Sequence, residues 1–461
     1  MVFQNDILAG SSGGTGTSSA VHTIDQSIRF NPDDSPYMSR TFGTATDPNK
    51  WTLSAWAKSA QGGNGMRFLE AGGSSGSEDF IGFGGSFGYE KLYFWKRTSS
   101  SYNYNLTSTQ LFRDPSAWYH FVFVFDSSNA VSTERMKAYV NGQRITDFST
   151  ETYPSSGLAS RINTAVAHRI GEPVYGGGHS DGYVAEMVFL DGQAYDPSFF
   201  GEFNNSGIWI PKDVSGLTFG NNGFYLKGAD SSALGTDSSG NGNNFTTSGL
   251  ASHDQVLDSP TNNFAVINPL HFGIRNSANS VPLSEGNLKY TGSNSSGVYG
   301  TWYTTIEVPS TGSWYFELVP TAIGSAEKQS QYVYVGSVGF LANGNTNAGA
   351  YGSAWSAGDI IGVAVNSTGV WFSINGTYQN SGNPATGSNP AGTTSLPAEI
   401  LIGDGSATTN SSSTGVLNFG QDGTFAGNKT AQGNKDSSGV GNFYYSPPSG
   451  FKAICTKNLG S

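Results

Sequence analysis

One stretch limits this chain more than any other. It begins Trp118-Tyr119-His120-Phe121-Val122-Phe123-Val124-Phe125-Asp126 and resumes after a short polar link as Met136-Lys137-Ala138-Tyr139-Val140-Asn141-Gly142. The first run is almost wholly β-branched or aromatic, which suits a pleated surface packed on both faces. The second ends in Asn-Gly, and both residues tolerate the positive φ of a type I′ hairpin turn. Two buried antiparallel strands and the start of a third are expected. The pattern returns where Gly358-Asp359-Ile360-Ile361-Gly362-Val363-Ala364-Val365 leads to Val370-Trp371-Phe372-Ser373-Ile374-Asn375-Gly376. The expected fold class is all-β, as two tandem antiparallel β-sandwiches, each built on a central strand pair closed by Asn-Gly.

At 461 residues the chain is too long for one core and suits two sandwiches of about 200 residues with linkers. Glycine (63 residues) and aromatics (13%) are abundant while charged residues make up only 12%, a pattern of tight turns and aromatic strands. Net charge is −11, and no Lys or Arg lies between Lys328 and Lys429. A nucleic-acid groove needs clustered cations, so nucleic acid is excluded as a partner, and an anionic membrane surface is disfavoured likewise. The single cysteine, Cys455, rules out an internal disulfide and any cysteine metal cluster. No stretch reaches the ~18 apolar residues of a membrane span. No basic region followed by an apolar run opens the chain, so synthesis in a cytoplasm without a signal peptide is expected.

Residues 1–23 join a short apolar patch to a Gly/Ser/Thr run, expected as a flexible tether that could anchor the chain elsewhere. Residues 24–211 carry the first sandwich. In it Lys50-Trp51-Thr52-Leu53-Ser54-Ala55-Trp56-Ala57-Lys58 alternates, with Trp51, Leu53 and Ala55 on one face. Residues 212–285 are expected to connect, 286–420 to form the second sandwich, and 421–461 to close it. Tyr332 to Phe340 is read as one strand.

Six landmarks fall in order over the first sandwich: Ser27-Ile-Arg-Phe, Thr52-Leu-Ser-Ala-Trp, Trp118-Tyr-His with its apolar strand, Tyr139-Val-Asn-Gly, Arg169-Ile-Gly and Gly182-Tyr-Val-Ala-Glu. This order resembles the concanavalin A-like, laminin G-like jelly roll. Ser27-Ile-Arg-Phe-Asn, Asp34-Ser-Pro-Tyr-Met-Ser-Arg-Thr and Trp51-Thr-Leu-Ser-Ala-Trp are similar to the start of this module in bacteriophage tail-fibre and other virion proteins. Gly358-Asp-Ile-Ile-Gly, Phe372-Ser-Ile-Asn-Gly and Asn418-Phe-Gly make the second sandwich resemble a SPRY domain.

The resemblance admits hydrolases as well as lectins. Retaining hydrolysis needs two carboxylates about 5–5.5 Å apart, and the Glu-x-Asp-x-x-Glu string of the fold's hydrolases is absent. Glu78 and Asp79 are adjacent, and Glu186 and Asp191 are five apart, so each pair points to opposite faces of a regular strand. The chain is therefore expected not to be an enzyme. His120 shares a strand face with Val122 and Val124 and reads as structural. His179 and Asp181 alone are too few for zinc. Calcium is the one cofactor the resemblance allows, with Asp33 and Asp34 in one turn, or Asp237 beside Asn241 and Asn243, as its candidates; solvated Asx turns explain the same residues.

Sugars are gripped by aromatic faces together with amides and carboxylates. Three loops combine these groups: Tyr102 and Tyr104; Tyr175, His179 and Asp181; and Asn347, Tyr351 and Trp355. The expected function is a non-enzymatic phage virion protein, in a tail fibre, spike or head decoration, that binds host-surface carbohydrate through sandwich-end loops. Its partners would be other virion proteins and host glycans, with no membrane insertion. Phage fibres imply a homo-oligomer, most often a trimer, located in the virion. Two rivals stand beside it: a purely structural virion component, and a polysaccharide depolymerase using Glu186 and Asp191.

Overall fold

The computed structural model describes residues 21–60, 65–84, 90–275, 283–292, 299–323, 331–405 and 413–460. The expected tether, residues 1–23, lies outside them up to residue 20. The chain divides into two compact units, 12–261 and 262–461. Both are antiparallel β-sandwiches. Among the described residues the one α-helix is the short Thr456–Leu459, and no helix is long and apolar enough to cross a membrane.

The first unit stacks two sheets. Sheet one runs, edge to edge, Gln143–Arg144, Met136–Val140, Tyr119–Asp126, Lys50–Ser59, Gly182–Asp191, Ser27–Phe30 and Gln255–Val256; Phe224–Leu226 pairs with Gly182–Asp191. Sheet two runs Phe148–Thr152, Ser101–Leu111, Lys91–Thr98, Ser77–Phe83, Met66–Ser74, Ala167–Ile170, Tyr37–Thr41 and Thr246–Ser248. The strand Tyr119–Asp126 is packed on both faces, as its composition requires. Phe121, Phe123 and Phe125 enter the core between the sheets. Val122 and Val124 meet a second apolar layer with Phe200, Val214, Phe219 and Tyr225. Trp51 stacks on Phe125 at 5.4 Å and 9° between the planes, joining neighbouring strands through their largest rings. Asn141 (φ 46°) and Gly142 (φ 78°) turn the chain left-handed after Met136–Val140. The Asn141 amide oxygen also accepts the His120 backbone N–H at 2.8 Å, which explains asparagine at the first turn position.

The segment 212–285 contributes strands to both units rather than linking them. Phe224–Leu226, Thr246–Ser248 and Gln255–Val256 complete the sheets of the first. Ile267–Arg275 begins the second.

The second unit pairs a seven-stranded sheet with an eight-stranded one. The first orders Ile267–Arg275, Tyr299–Thr304, Ile400–Gly405, Tyr332–Val335, Val338–Leu341, Asn345–Thr346 and Gly349–Ala350. The second is centred on Trp314–Ala322, Ile361–Asn366 and Gly369–Ile374. Its Asn375-Gly376 turn repeats the left-handed pair, at φ 49° and 79°. The single strand expected from Tyr332 to Phe340 is two, because Gly336 takes φ 55° and folds the run into a hairpin. Residues 421–461 belong to this unit: Lys452–Ala453 lies parallel to Trp314–Ala322.

Candidate functional site

The second apolar layer, drawn from residues 188–225, covers the outer side of sheet one. Sheet two turns a different set of side chains outward. Its strands alternate, so Ile81, Phe83, Leu92, Phe94, Tyr104 and Leu106 enter the core. Glu78 and Phe80 on one strand, and Tyr93, Trp95 and Arg97 on the next, take the other face. Phe80, Tyr93 and Trp95 form an apolar cluster of their own there. Phe80 meets Trp95 at 5.2 Å, and Tyr102 meets Trp95 edge to face at 5.8 Å.

Cations and carboxylates frame these rings. Arg67 lies 5.0 Å from the Phe80 ring centre and Arg97 lies 4.6 Å from that of Trp95. Arg67 donates to Glu70 at 2.9 Å. Arg97 donates through Nε to Glu78 Oε1 at 3.0 Å and also contacts that oxygen through Nη2. Register places Glu70 opposite Phe80, and Glu78 two residues further along Phe80's strand, so both glutamates share the outward face. Burial pushes the Glu70 carboxyl up to about 7 against the opposing pull of Arg67. Glu78 is fully buried, and its Oε2 has no hydrogen-bond partner among the described residues. A buried carboxylate oxygen left unpaired is costly and calls for a donor.

The loop after Ala167–Ile170 reaches the same place. Gly176, Gly177 and Gly178 have φ of 89°, 79° and 74°, left-handed conformations that strain any residue with a Cβ. Their turn lets the Gly178 carbonyl accept Arg67 Nε at 3.1 Å, and the Val174 N–H reach Glu70 at 3.2 Å. Tyr175 projects 45% exposed. Burial raises its phenol pKa, and among the charges acting on it are Glu70, Arg67, Glu78 and Arg97. Tyr102 is 49% exposed. A strand end and a loop 73 positions apart in sequence thus flank one patch of aromatic, cationic and acidic side chains.

The other expected residues divide. His179 Nδ1 is 3.8 Å from Glu172 Oε1, and Asp181 is buried at the base of the loop. Tyr104 is not a ligand contact: it is wholly buried, its hydroxyl donating to Asp79 at 3.0 Å. Trp355 is likewise wholly buried, with its indole N–H on the Leu341 carbonyl at 2.7 Å. Tyr351 packs edge-on against Phe340 at 5.8 Å, and Asn347 braces a hairpin through the Ser337 carbonyl at 2.8 Å. The 344–356 loop therefore closes the core of the second unit.

The acids held in reserve for hydrolysis are also occupied. Asp191, buried on Gly182–Asp191, accepts from the N–H groups of Thr46 (2.7 Å) and Asn222 (3.0 Å) and from Asn163 Nδ2 (2.7 Å). Glu186 sits at a bulge with φ 44° and accepts from the Tyr225 hydroxyl and from His22 Nε2, the latter at 2.9 Å. Asp237 accepts the N–H groups of Tyr225, Ser239 and Asn243 and the Ser239 hydroxyl, at 2.8–2.9 Å. Asp34 accepts from Asn31 Nδ2 at 2.8 Å, and Asp33 stands exposed beside it. No three His, Cys, Asp or Glu side chains among the described residues could together hold a metal ion.

Residues 32–193 match the family described as the concanavalin A-like lectin/glucanases superfamily. The first unit thus carries a jelly roll of the lectin/glucanase class. No curated protein is significantly similar to the chain. Among solved structures, a heptameric pentraxin of Limulus polyphemus is 18% identical, over 38% of this chain and 80% of that one, at a TM-score of 0.28. Domains LG4-5 of the mouse laminin alpha1 chain are 9% identical, over 87% and 90% of the two chains, at 0.29. Tailspike protein 2 of an Escherichia coli bacteriophage is 12% identical, over 40% of this chain and 28% of that one, at 0.26. Likenesses this low locate neither a ligand nor a partner.

Proposed function

We propose that the chain is a non-catalytic carbohydrate-binding protein of a phage virion, gripping host-surface glycan at the outward face of sheet two in its first unit. The observation that carries this is the pair of exposed rings, Tyr102 and Tyr175, flanking the face where Arg97 lies over Trp95. Arg97 would donate to ring or hydroxyl oxygens, and the Tyr102 and Tyr175 rings would take C–H faces. Weak single-site affinity would be multiplied by copies in an oligomer, a trimer as in phage fibres, held by other virion proteins. The phage setting rests on the similarity of Ser27-Ile-Arg-Phe-Asn and Trp51-Thr-Leu-Ser-Ala-Trp to virion modules.

The test is retention of the purified chain on immobilised host polysaccharide. Removing both exposed rings (Tyr102→Ala with Tyr175→Ala) should weaken retention at least about tenfold, the scale of one lost anchor. No retention of the parent chain on any surface glycan would favour the purely structural virion role.

A depolymerase has one observation on its side: Glu70, held near 7 by burial, shares a face with the arginine-paired Glu78. A carboxyl raised by burial in this way suits a general acid. Release of reducing ends, abolished by Glu70→Gln, would establish it.

A further inference from the structure

The seven-stranded sheet of the second unit has an outward face that neither its core nor the first-unit site uses. Trp302, Val333, Ile400 and Ile402 point inward and are buried. Alternation turns Thr301, Tyr303, Tyr332, Tyr334 and Leu401 outward, where each is half-buried, while His271 is exposed. Register sets them in rows across the strands. Tyr303 and Tyr334 face Leu401 from either side, and Thr301 and Tyr332 face Gly403. Two strand spacings separate Tyr303 from Tyr334, about 9.5 Å.

The rings touch. His271 stacks on Tyr303 at 4.0 Å and 7° between the planes, and Tyr332 meets Tyr334 edge to face at 5.1 Å. The Tyr332 hydroxyl is 2.8 Å from Thr301 Oγ1. Two glycines make room for the phenols. A Cβ on Gly403 would lie 1.9 Å from Tyr332 Cζ, and one on Gly339 would lie 2.1 Å from Tyr334 Cζ. Each phenol therefore occupies the space a neighbouring side chain would fill. None of Thr301, Tyr303, Tyr332, Tyr334 and Leu401 carries a formal charge. Leu401 and both tyrosines of the hairpin lie in the long stretch without Lys or Arg, and exposed Glu399 immediately precedes the strand of Leu401.

We propose that this strip is a second carbohydrate site, taking a neutral polysaccharide chain laid across the strands. The strands Tyr332–Val335, Val338–Leu341 and Ile400–Gly405 offer an anionic glycan no lysine or arginine, and the one such residue on the flanking strands is Arg275, at the end of the strand that carries His271. A neutral sugar chain offers C–H faces to the rings and hydroxyls to the phenols, Thr301 and His271. The interval between Tyr303 and Tyr334 suits every second sugar of an extended chain. The site lies in a different unit from the one proposed above and does not depend on it.

The probe is a panel of purified bacterial O-polysaccharides lacking acidic sugars, immobilised and presented to the full chain. Tyr303→Ala with Tyr334→Ala should reduce retention about tenfold or more. Gly339→Val should do the same by displacing Tyr334, while Tyr334→Phe should stay near the parent. Melting of each variant at the parent's temperature shows that the fold is kept. The Tyr102→Ala, Tyr175→Ala chain should still bind these neutral polysaccharides. The proposal fails if the Tyr303→Ala, Tyr334→Ala chain binds like the parent, or if the parent binds no member of the panel. It fails equally if the first-unit variant alone loses retention, or if the second-unit substitutions instead split an oligomer in sedimentation, which would assign the strip to a contact between copies.

Discussion

The indole N–H of Trp209 donates to Nδ1 of His120 at 3.0 Å. The proton of the neutral imidazole is thereby assigned to Nε2, which lies 2.8 Å from Ser54 Oγ. Trp56 stacks on the same ring at 4.6 Å. The histidine is a buried joint between sheet one and the segment covering it, and a second proton would break the indole bond.

Acid should loosen this joint. Burial pushes the His120 pKa down to about 3, below its value of 6.5 when unfolded. Its contribution is full above pH 6.5 and is lost as pH falls toward 3, at about 1.4 kcal/mol per pH unit. Between pH 7 and pH 5 the parent should lose about 2 kcal/mol more stability than His120→Asn. Denaturant unfolding at the two pH values measures this, and equal losses would refute it.

Glu317 gives the second unit the opposite dependence. Its buried carboxylate accepts from the Tyr445 and Tyr444 N–H groups at 2.8 and 2.9 Å, Tyr315 hydroxyl at 3.1 Å and Asn418 at 3.2 Å. Burial outweighs these four bonds and raises the pKa from 4.5 to about 7. A raised carboxyl contributes stability below pH 4.5 and loses it as pH rises through 7. From pH 5 to pH 8 the parent should lose about 2.5 kcal/mol relative to Glu317→Gln. A parallel pH dependence of the two proteins would contradict the assignment.

Lys58 and Asp258 form an ion pair with neither side chain exposed. Trp118 Nε1 donates to the other Asp258 oxygen at 3.0 Å, and the Lys58 ammonium lies 4.9 Å from the Tyr183 ring centre. Asp258→Ala should cost roughly 3–5 kcal/mol, because it strands a buried cation. Lys58→Met combined with Asp258→Leu should recover most of that loss. A double variant as weak as the single one would mean that the pair stabilises beyond its own charges.

Asp237 spends both oxygens on N–H and O–H donors, which a cation would have to displace. Asp237→Ala should cost at least about 2 kcal/mol. Calcium followed by a chelator should leave the parent's melting temperature unchanged. A calcium-dependent rise that Asp237→Ala abolishes would show that the loop opens to bind the ion.

Much of this protein is legible in one dimension. A strand made of β-branched and aromatic residues must pack on both sides, and Tyr119–Asp126 does. Asn-Gly requires left-handed turns, found at Asn141-Gly142 and Asn375-Gly376. Alternation at Trp51, Leu53 and Ala55 marks a core face, and all three are buried. These rules act between neighbours along the chain.

Ligand contacts were less legible because aromaticity does not state depth. Tyr102 and Tyr104 share a strand, yet the first is 49% exposed and the second fully buried. A register shift between Lys96 and Arg97 leaves Tyr102 opposite Arg97 and Tyr104 opposite Lys96, and no composition announces such a shift. The cluster of Glu70, Glu78, Arg67 and Arg97 was equally hidden, since its members meet across strands rather than along one.

Local chemistry in the sequence thus determined strands, turns and the two-sandwich class, because period, branching and positive-φ tolerance are properties of adjacent residues. Only the tertiary structure decided which tyrosines reach solvent, which carboxylates are already satisfied, and that segment 212–285 belongs to the sheets on either side of it. Those outcomes depend on cross-strand register and layer-on-layer burial, which bring together groups that the sequence keeps far apart.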